Sequence, residues 1–214
     1  MPAVPDDDDT QPDAIQPDEP DDLVRILGYV DAAPDTSEAM REIGPDIIAM
    51  PFWTPQFCRA VIRAAEAVGA FEPQIDDPVP GHEISLANIA PNLFRSLEND
   101  LGERAWPQLR QIWPLIDYYG LRDAFVIRYA PGEQESLRIH HDVAQVSGSI
   151  KLNDNYEGAE LEFPRQAVDN STTTVGELLA WPSLVTHPHQ TAQLRRGVKY
   201  ALTIWFELPV YQPS

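Results

Sequence analysis

Downstream of Gly120 the chain falls into short runs of strand length, AFVIRY, GSIKLN, AELEF, ELLAW and KYALTIWFEL, separated by Gly, Asn, Asp and Pro. Runs rich in β-branched and aromatic residues and cut by turn formers read as strands. So many of them in succession predict a β-sandwich or barrel, since each strand must bury a face against another layer. The upstream pattern is helical. Thr54-Pro55 is a helix start, a hydroxyl N-cap followed by proline at the first helical position. Phe57, Val61, Ile62 and Ala65 follow at helical spacing and Gly69 ends the run, so a helix is expected over 55–68. A second helical pattern runs from Pro91 to Trp113, and Gly102, Pro107 and Pro114 suggest two helices there. Residues 72–91 read as loop with one strand near Glu83 to Leu86. Residues 23–50 hold an apolar stretch, Leu23 to Val30, and a helical piece around Ser37 to Ile43. Helices followed by many short strands indicate the α+β class.

Composition narrows the possibilities. A chain of 214 residues with 43% hydrophobic content can bury a substantial core as one domain with extensions. No apolar run approaches the ~18 residues of a transmembrane helix. The N-terminus lacks the basic and apolar regions of a secretory signal, and the single cysteine, Cys58, excludes an internal disulfide framework. Cytoplasmic residence is the resulting expectation. Of the formal net charge of −19, nine acids and no base lie in residues 1–22, which read as a disordered acidic tail. Acidity on this scale argues against nucleic acid as a partner, because phosphate neutralisation needs Lys and Arg clusters, and is compatible with cationic substrates.

Four of the five histidines lie in the strand-rich part, as His140-His141-Asp142 and His187-Pro188-His189. If Arg138 to Val143 is extended, His140 and Asp142 share one face and His141 takes the other. His187 and His189 also share parity, so strand geometry leaves both open as a second histidine. Two histidines and a carboxylate form the facial arrangement of non-haem Fe(II); three such ligands plus water would equally suit a zinc hydrolase. A structural or surface role is the alternative for all four.

The segment RYAPGEQESLRIHHD, the following LN-x-x-YEG, and TH-x-H followed by RG-x-KY resemble the catalytic domain of procollagen-lysine hydroxylases. More broadly they resemble the prolyl-4-hydroxylase-like group of Fe(II)/2-oxoglutarate dioxygenases. The resemblance covers roughly residues 82–208 and is strongest over 124–165 and 176–206. It implies a double-stranded β-helix (jelly-roll) core over 121–208 with the helices of 23–120 packed on it, the whole oxygenase domain spanning 23–210. It also implies a distal ligand. Gly197-x-Lys199-Tyr200 fits the family's G-x-(R/K)-Y, whose basic residue grips the far carboxylate of 2-oxoglutarate, and counting back from Lys199 selects His189. The implied metal ligands are therefore His140, Asp142 and His189. His187 becomes a neighbouring pocket residue and the alternative ligand; His141 is structural or at the pocket edge, and His82 falls at the pocket edge or surface. Lys199 stands where lysyl hydroxylases carry arginine and some prolyl hydroxylases lysine. With Ala201, Thr203 and Trp205 on its strand face, it is expected to point into the barrel, a solvated strand lysine being the alternative. Tyr129 is a second candidate contact for 2-oxoglutarate, with core packing as its alternative, and Arg138 a substrate contact or surface charge.

The activity so implied is hydroxylation of an unactivated C–H bond, with 2-oxoglutarate and O2 converted to succinate and CO2, Fe(II) as cofactor and ascorbate as stimulant. The carboxylate of Asp142 fills the position a halide takes in related halogenases, which favours hydroxylation. The expected substrate is an amino-acid side chain, lysyl- or prolyl-like, in a peptide or as a free or carrier-bound amino acid; a specialised metabolite without an amino acid is the variant of this reading. No membrane partner is expected, and a homodimer is admitted. The competing classes are a non-catalytic jelly-roll binding module and a metal-dependent hydrolase.

Overall fold

The computed structural model describes residues 40–73 and 78–207. The expected acidic tail 1–22 and the apolar stretch 23–30 lie outside them. In chain order the elements are β1 (Arg41–Gly44), β2 (Ile47–Pro51), α1 (Pro55–Val68), β3 (Glu72–Pro73), β4 (His82–Ser85), α2 (Leu86–Ile89), α3 (Pro91–Asp100), a π-helical turn (Leu101–Ala105) and α4 (Trp106–Ile112). Ten strands follow: β5 (Leu121–Tyr129), β6 (Leu137–His140), β7 (Ser147–Lys151), β8 (Tyr156–Gly158), β9 (Leu161–Phe163), β10 (Val168–Asp169), β11 (Glu177–Trp181), β12 (His189–Thr191), β13 (Leu194–Gly197) and β14 (Lys199–Phe206). The described residues are mostly β-sheet with few helices.

Two sheets carry the architecture. The larger has strand order β1-β2-β11-β7-β14-β5-β4-β3, the smaller β10-β9-β12-β6, and β13 pairs β8 separately. Strand alternation divides the core. On one face of the large sheet, Ile48, Met50, Val126, Ile150, Leu178, Leu202 and Ile204 pack with Phe57, Val61, Leu93, Leu97 and Leu101 of the helices. On the other face, Ile47, Ala49, Leu179 and Trp181 meet Leu161 and Phe163 of the small sheet. The large sheet is thus the middle layer, and β1 to β4, all upstream of residue 121, form its two edges.

Local sequence explains the helix ends. The Thr54 hydroxyl accepts a hydrogen bond from the Phe57 amide at 3.3 Å, which satisfies one of the N-terminal donors a helix leaves unpaired. Gly69 closes α1 at φ 70°, its N–H donating to the Ala65 carbonyl, a left-handed geometry that glycine adopts without Cβ strain. Gly176, at φ 90°, has a second reason to be glycine: a Cβ there would lie 1.9 Å from the Trp53 carbonyl oxygen. This close approach lets the Gly176 carbonyl accept from both the Phe52 and Trp53 amides, joining the β2–α1 connection to β11.

Two expectations need correction. Residues 41–43, expected in a helical piece from Ser37 to Ile43, are strand, because β1 pairs with β2, which in turn pairs with β11. Strand β2 itself was not anticipated. The region 91–113 divides into two α-helices as expected, α3 and α4, joined through the π-helical turn that contains Gly102.

Candidate metal centre

Strands β6 and β12 are antiparallel neighbours, and their register sets His140 directly opposite His189. The two imidazole centroids are 4.4 Å apart. The strand ends at His140, so His141 and Asp142 lie on the connection that follows, and the extended geometry assumed for 138–143 does not persist. The chain turns so that Asp142 is buried while His141 is exposed. Asp142 Oδ1 lies 3.4 Å from His140 Nε2, and its Oδ2 lies 3.4 Å from His189 Nε2. The three ligand atoms fall within 4.8 Å of one another.

Each imidazole is held in the same way. His140 Nδ1 is 2.9 Å from the Arg138 carbonyl oxygen and His189 Nδ1 is 3.1 Å from that of His187, in both cases two residues upstream. A carbonyl only accepts, so each Nδ1 carries the proton and, in the neutral ring, each Nε2 presents a lone pair to the centre. Burial opposes ionisation of the Asp142 carboxyl, yet the attraction and hydrogen bonding that the His140 and His189 rings offer when protonated outweigh it and hold the pKa well below the usual carboxylate range. Asp142 Oδ2 is buried without a hydrogen-bond partner. Two imidazole lone pairs and a carboxylate converging in an apolar setting want a cation between them, and this donor set with open positions suits non-haem Fe(II). Trp181 stands 5.0 Å and Phe163 5.8 Å from the His189 ring, centroid to centroid.

His187 is turned elsewhere. Its Nδ1 lies 2.8 Å from the Thr186 hydroxyl and its Nε2 2.9 Å from the Pro45 carbonyl oxygen, so both nitrogens are engaged and the ring ties its loop to the β1–β2 turn. His141 Nε2 is 2.9 Å from the Val185 carbonyl oxygen, joining the two histidine-bearing loops at the cavity rim. Arg138 is exposed and donates to the Pro78 carbonyl at 2.6 Å. His82 lies on β4, 3.8 Å from Glu133.

The triad opens on a cavity of about 130 Å³ whose wall includes Lys199, Ala201, Thr203 and Trp205, the alternate residues of β14. Lys199 is 4% exposed. Its ammonium donates to the Ala159 carbonyl at 2.7 Å and sits 5.0 Å from the centroid of the Tyr129 ring. Burial, and secondarily repulsion by Lys151, brings its pKa down to about 7 against the opposing pull of Glu160. Tyr129 pairs with Lys199 across β5 and β14, and its hydroxyl shares a 2.9 Å hydrogen bond with Thr191 of β12. That bond spans the two sheets beside the triad. Sequence reasoning missed Thr191, although it lies two residues after His189 on the same strand. It also missed Ser147 and Ser183, which hydrogen-bond each other at 2.8 Å, Ser147 also lying against Asp142.

Residues 124–207, which contain the whole triad and Lys199, match the family profile of the 2OG-Fe(II) oxygenase superfamily. The chain carries a 2OG-Fe(II) oxygenase domain. Over 172 residues the chain is 29% identical to human procollagen-lysine,2-oxoglutarate 5-dioxygenase 1, an alignment covering 73% of this chain. The chain spans 23% of the length of that relative. Among solved structures, the fold resembles the collagen prolyl hydroxylase of Paramecium bursaria Chlorella virus-1, with a TM-score of 0.58 at 18% identity over 76% of this chain and 96% of that one. It also resembles a prolyl-4-hydroxylase of Pseudomonas putida, with a TM-score of 0.56 at 16% identity over 88% of this chain and all of the other. The oxygenase domain thus shares ancestry with lysyl hydroxylases and its fold with prolyl hydroxylases.

Proposed function

We propose that this chain is an Fe(II)/2-oxoglutarate-dependent hydroxylase of an amino-acid side chain, lysyl- or prolyl-like, in a peptide or as a free or carrier-bound amino acid. In this reading residues 23–210 form the oxygenase domain, with a jelly-roll core over 121–208, and 1–22 an acidic tail outside it. His140, Asp142 and His189 hold the metal. When bound, the metal and 2-oxoglutarate supply the oxidising power, with O2 consumed and succinate and CO2 released. Ascorbate keeps the metal reduced, and the cytoplasm is the compartment in which we place the chain.

The observation that carries the reading is Lys199. A buried ammonium whose acceptor among the described residues is a backbone carbonyl lines the cavity that the triad faces. A buried cation of this kind asks for an anion, and the far carboxylate of 2-oxoglutarate provides it. The rest is positioning. The Arg138 and His187 carbonyls orient the imidazoles. The Tyr129–Thr191 hydrogen bond fixes the distance between the sheets. Leu161, Trp181 and Ile127 exclude water from the wall.

The test is direct. Purified chain with Fe(II), ascorbate and 2-oxoglutarate is given a panel of amino acids and peptides in air, and succinate and products heavier by one oxygen are sought by mass spectrometry. Succinate formation that needs both O2 and Fe(II) is the expected result. No succinate under any condition would point to a binding module, and anaerobic hydrolysis with zinc to a metallohydrolase.

A further inference from the structure

We infer that the indole N–H of Trp181 donates a hydrogen bond to the carboxylate-and-keto end of 2-oxoglutarate. The inference rests on the oxygenase reading above and adds a contact to it. Trp181 is 1% exposed, and its ring lines the cavity. Its Nε1 is buried without a hydrogen-bond partner among the described residues. An indole nitrogen only donates, and buried polar groups in native proteins nearly always find a partner. The packed sides of the ring supply none. Phe163 and His189 meet it edge to face, at 5.1 and 5.0 Å between centroids. Ile47, Ala49, Leu161 and Leu179 complete the apolar cluster around it. The cavity is the side from which an acceptor can come.

Strand register places this donor at the triad end of the cavity. Trp181 pairs with Ser147 across β11 and β7, and Ser147 pairs in turn with Trp205 across β7 and β14. Ser147 lies against Asp142, and Trp181 lies against His189. Lys199 stands at the other end of β14 from Trp205. A ligand that reaches from the triad to Lys199 therefore turns its near oxygens toward the Trp181 row and its far carboxylate away from it.

Neighbouring candidates are already engaged. Ser147 donates to Ser183, Tyr129 and Thr191 hold each other, and each imidazole Nδ1 is taken by a carbonyl. Trp205 Nε1 also lacks a partner among the described residues. Trp205 is partly exposed, however, and stacks on Phe125 rather than on a triad residue. A carboxylate oxygen taken out of water into this wall needs a donor. Trp181 meets that need with a neutral group, which adds no second cation beside the metal.

The experiment is anaerobic calorimetric titration of the Fe(II)-loaded full chain with 2-oxoglutarate and with oxalate. Oxalate offers carboxylate oxygens to the metal but has no far carboxylate for Lys199. Three altered proteins are compared with wild type. One is Trp181→Phe, and one carries β-(3-benzothienyl)alanine in place of Trp181, which keeps the two-ring shape without the N–H. The third is Lys199→Met. Both changes at Trp181 should weaken both ligands about tenfold, the scale of a hydrogen bond to a charged acceptor, with Fe(II) still bound stoichiometrically. Lys199→Met should weaken 2-oxoglutarate and leave oxalate unchanged. Unchanged affinities in the benzothienylalanine protein, or a loss confined to 2-oxoglutarate, would overturn the inference. Loss of Fe(II) from that protein would also overturn it, by showing that the ring acts through His189. Wild-type protein that binds oxalate but not 2-oxoglutarate would sink the oxygenase reading, while a tenfold loss of oxalate binding without the N–H would still uphold Trp181 as the donor. Wild-type protein that binds neither ligand would sink both.

Discussion

Replacing Lys199 with methionine should make the protein more stable and less able to bind 2-oxoglutarate. Folding takes this lysine from its ordinary value of 10.5 to about 7, chiefly because burial disfavours the charged form. Such a change corresponds to on the order of 5 kcal/mol, since a tenfold step in the proton equilibrium is about 1.4 kcal/mol. The sign follows from proton counts. Between pH 7 and 10.5 the unfolded chain keeps the lysine proton and the folded chain has lost it, so stability rises with pH across this window. Below pH 7 both states are protonated and the full penalty applies. Methionine keeps most of the volume and removes the charge. It also leaves the Ala159 carbonyl without its donor, which costs about 1–3 kcal/mol. At pH 6 the net gain for Lys199→Met is therefore roughly 2–4 kcal/mol, shrinking as pH rises toward 9.

The same variant should lose the cosubstrate. An anion beside Nζ favours the protonated lysine, so wild-type 2-oxoglutarate binding should take up a proton and weaken as pH rises through 7. Urea unfolding at pH 6, 7.5 and 9 gives the stability curve. Calorimetry in two buffers of different ionisation enthalpy reports the proton uptake. A Lys199→Met protein that is less stable than wild type at pH 6, yet binds 2-oxoglutarate with unchanged affinity, would refute both the burial argument and the assignment of Lys199.

Three further outcomes follow from the geometry. His189→Ala should abolish stoichiometric Fe(II) binding, read by metal analysis after gel filtration, while His187→Ala should retain it. Because His187 holds the Pro45 carbonyl and the Thr186 hydroxyl, its loss should instead lower stability by about 1–3 kcal/mol in denaturant unfolding. Thr54→Ala should destabilise by about 1 kcal/mol through loss of the α1 cap, without changing Fe(II) binding. Gly176→Ala meets the Trp53 carbonyl at 1.9 Å in a left-handed backbone, and should reduce the melting temperature severely or prevent soluble expression.

How much of this could be read from the sequence depends on whether each element is specified locally. Helix α1 was legible at both ends because Thr54, Pro55 and Gly69 act on their own neighbours. Strand β14 was legible by alternation, since Leu202, Ile204 and Phe206 face the helices while Lys199, Thr203 and Trp205 face the cavity. Strand β2 was not, because both its faces are covered. Ile47 and Ala49 meet the small sheet and Ile48 and Met50 the helix layer, so IIAMP has no period to detect.

The site divides along the same line. His140 and Asp142 are two residues apart, and proximity in sequence brings them together even though the strand ends between them. His187 and His189 are indistinguishable by parity, and what separates them is a partner 142 positions upstream, the Pro45 carbonyl, that takes the His187 ring away. The family's spacing to Lys199 selects His189 without reference to that contact. Glu83 shows the limit of both routes. It is one of four acids, with Glu72, Asp76 and Asp77, in a segment rich in loop formers, and only the long-range pairing of β4 with β5 turns it toward the cavity. Candidate ligands that share one motif are therefore legible from local spacing, whereas a cavity residue carried on a distant strand can be placed only by tertiary pairing.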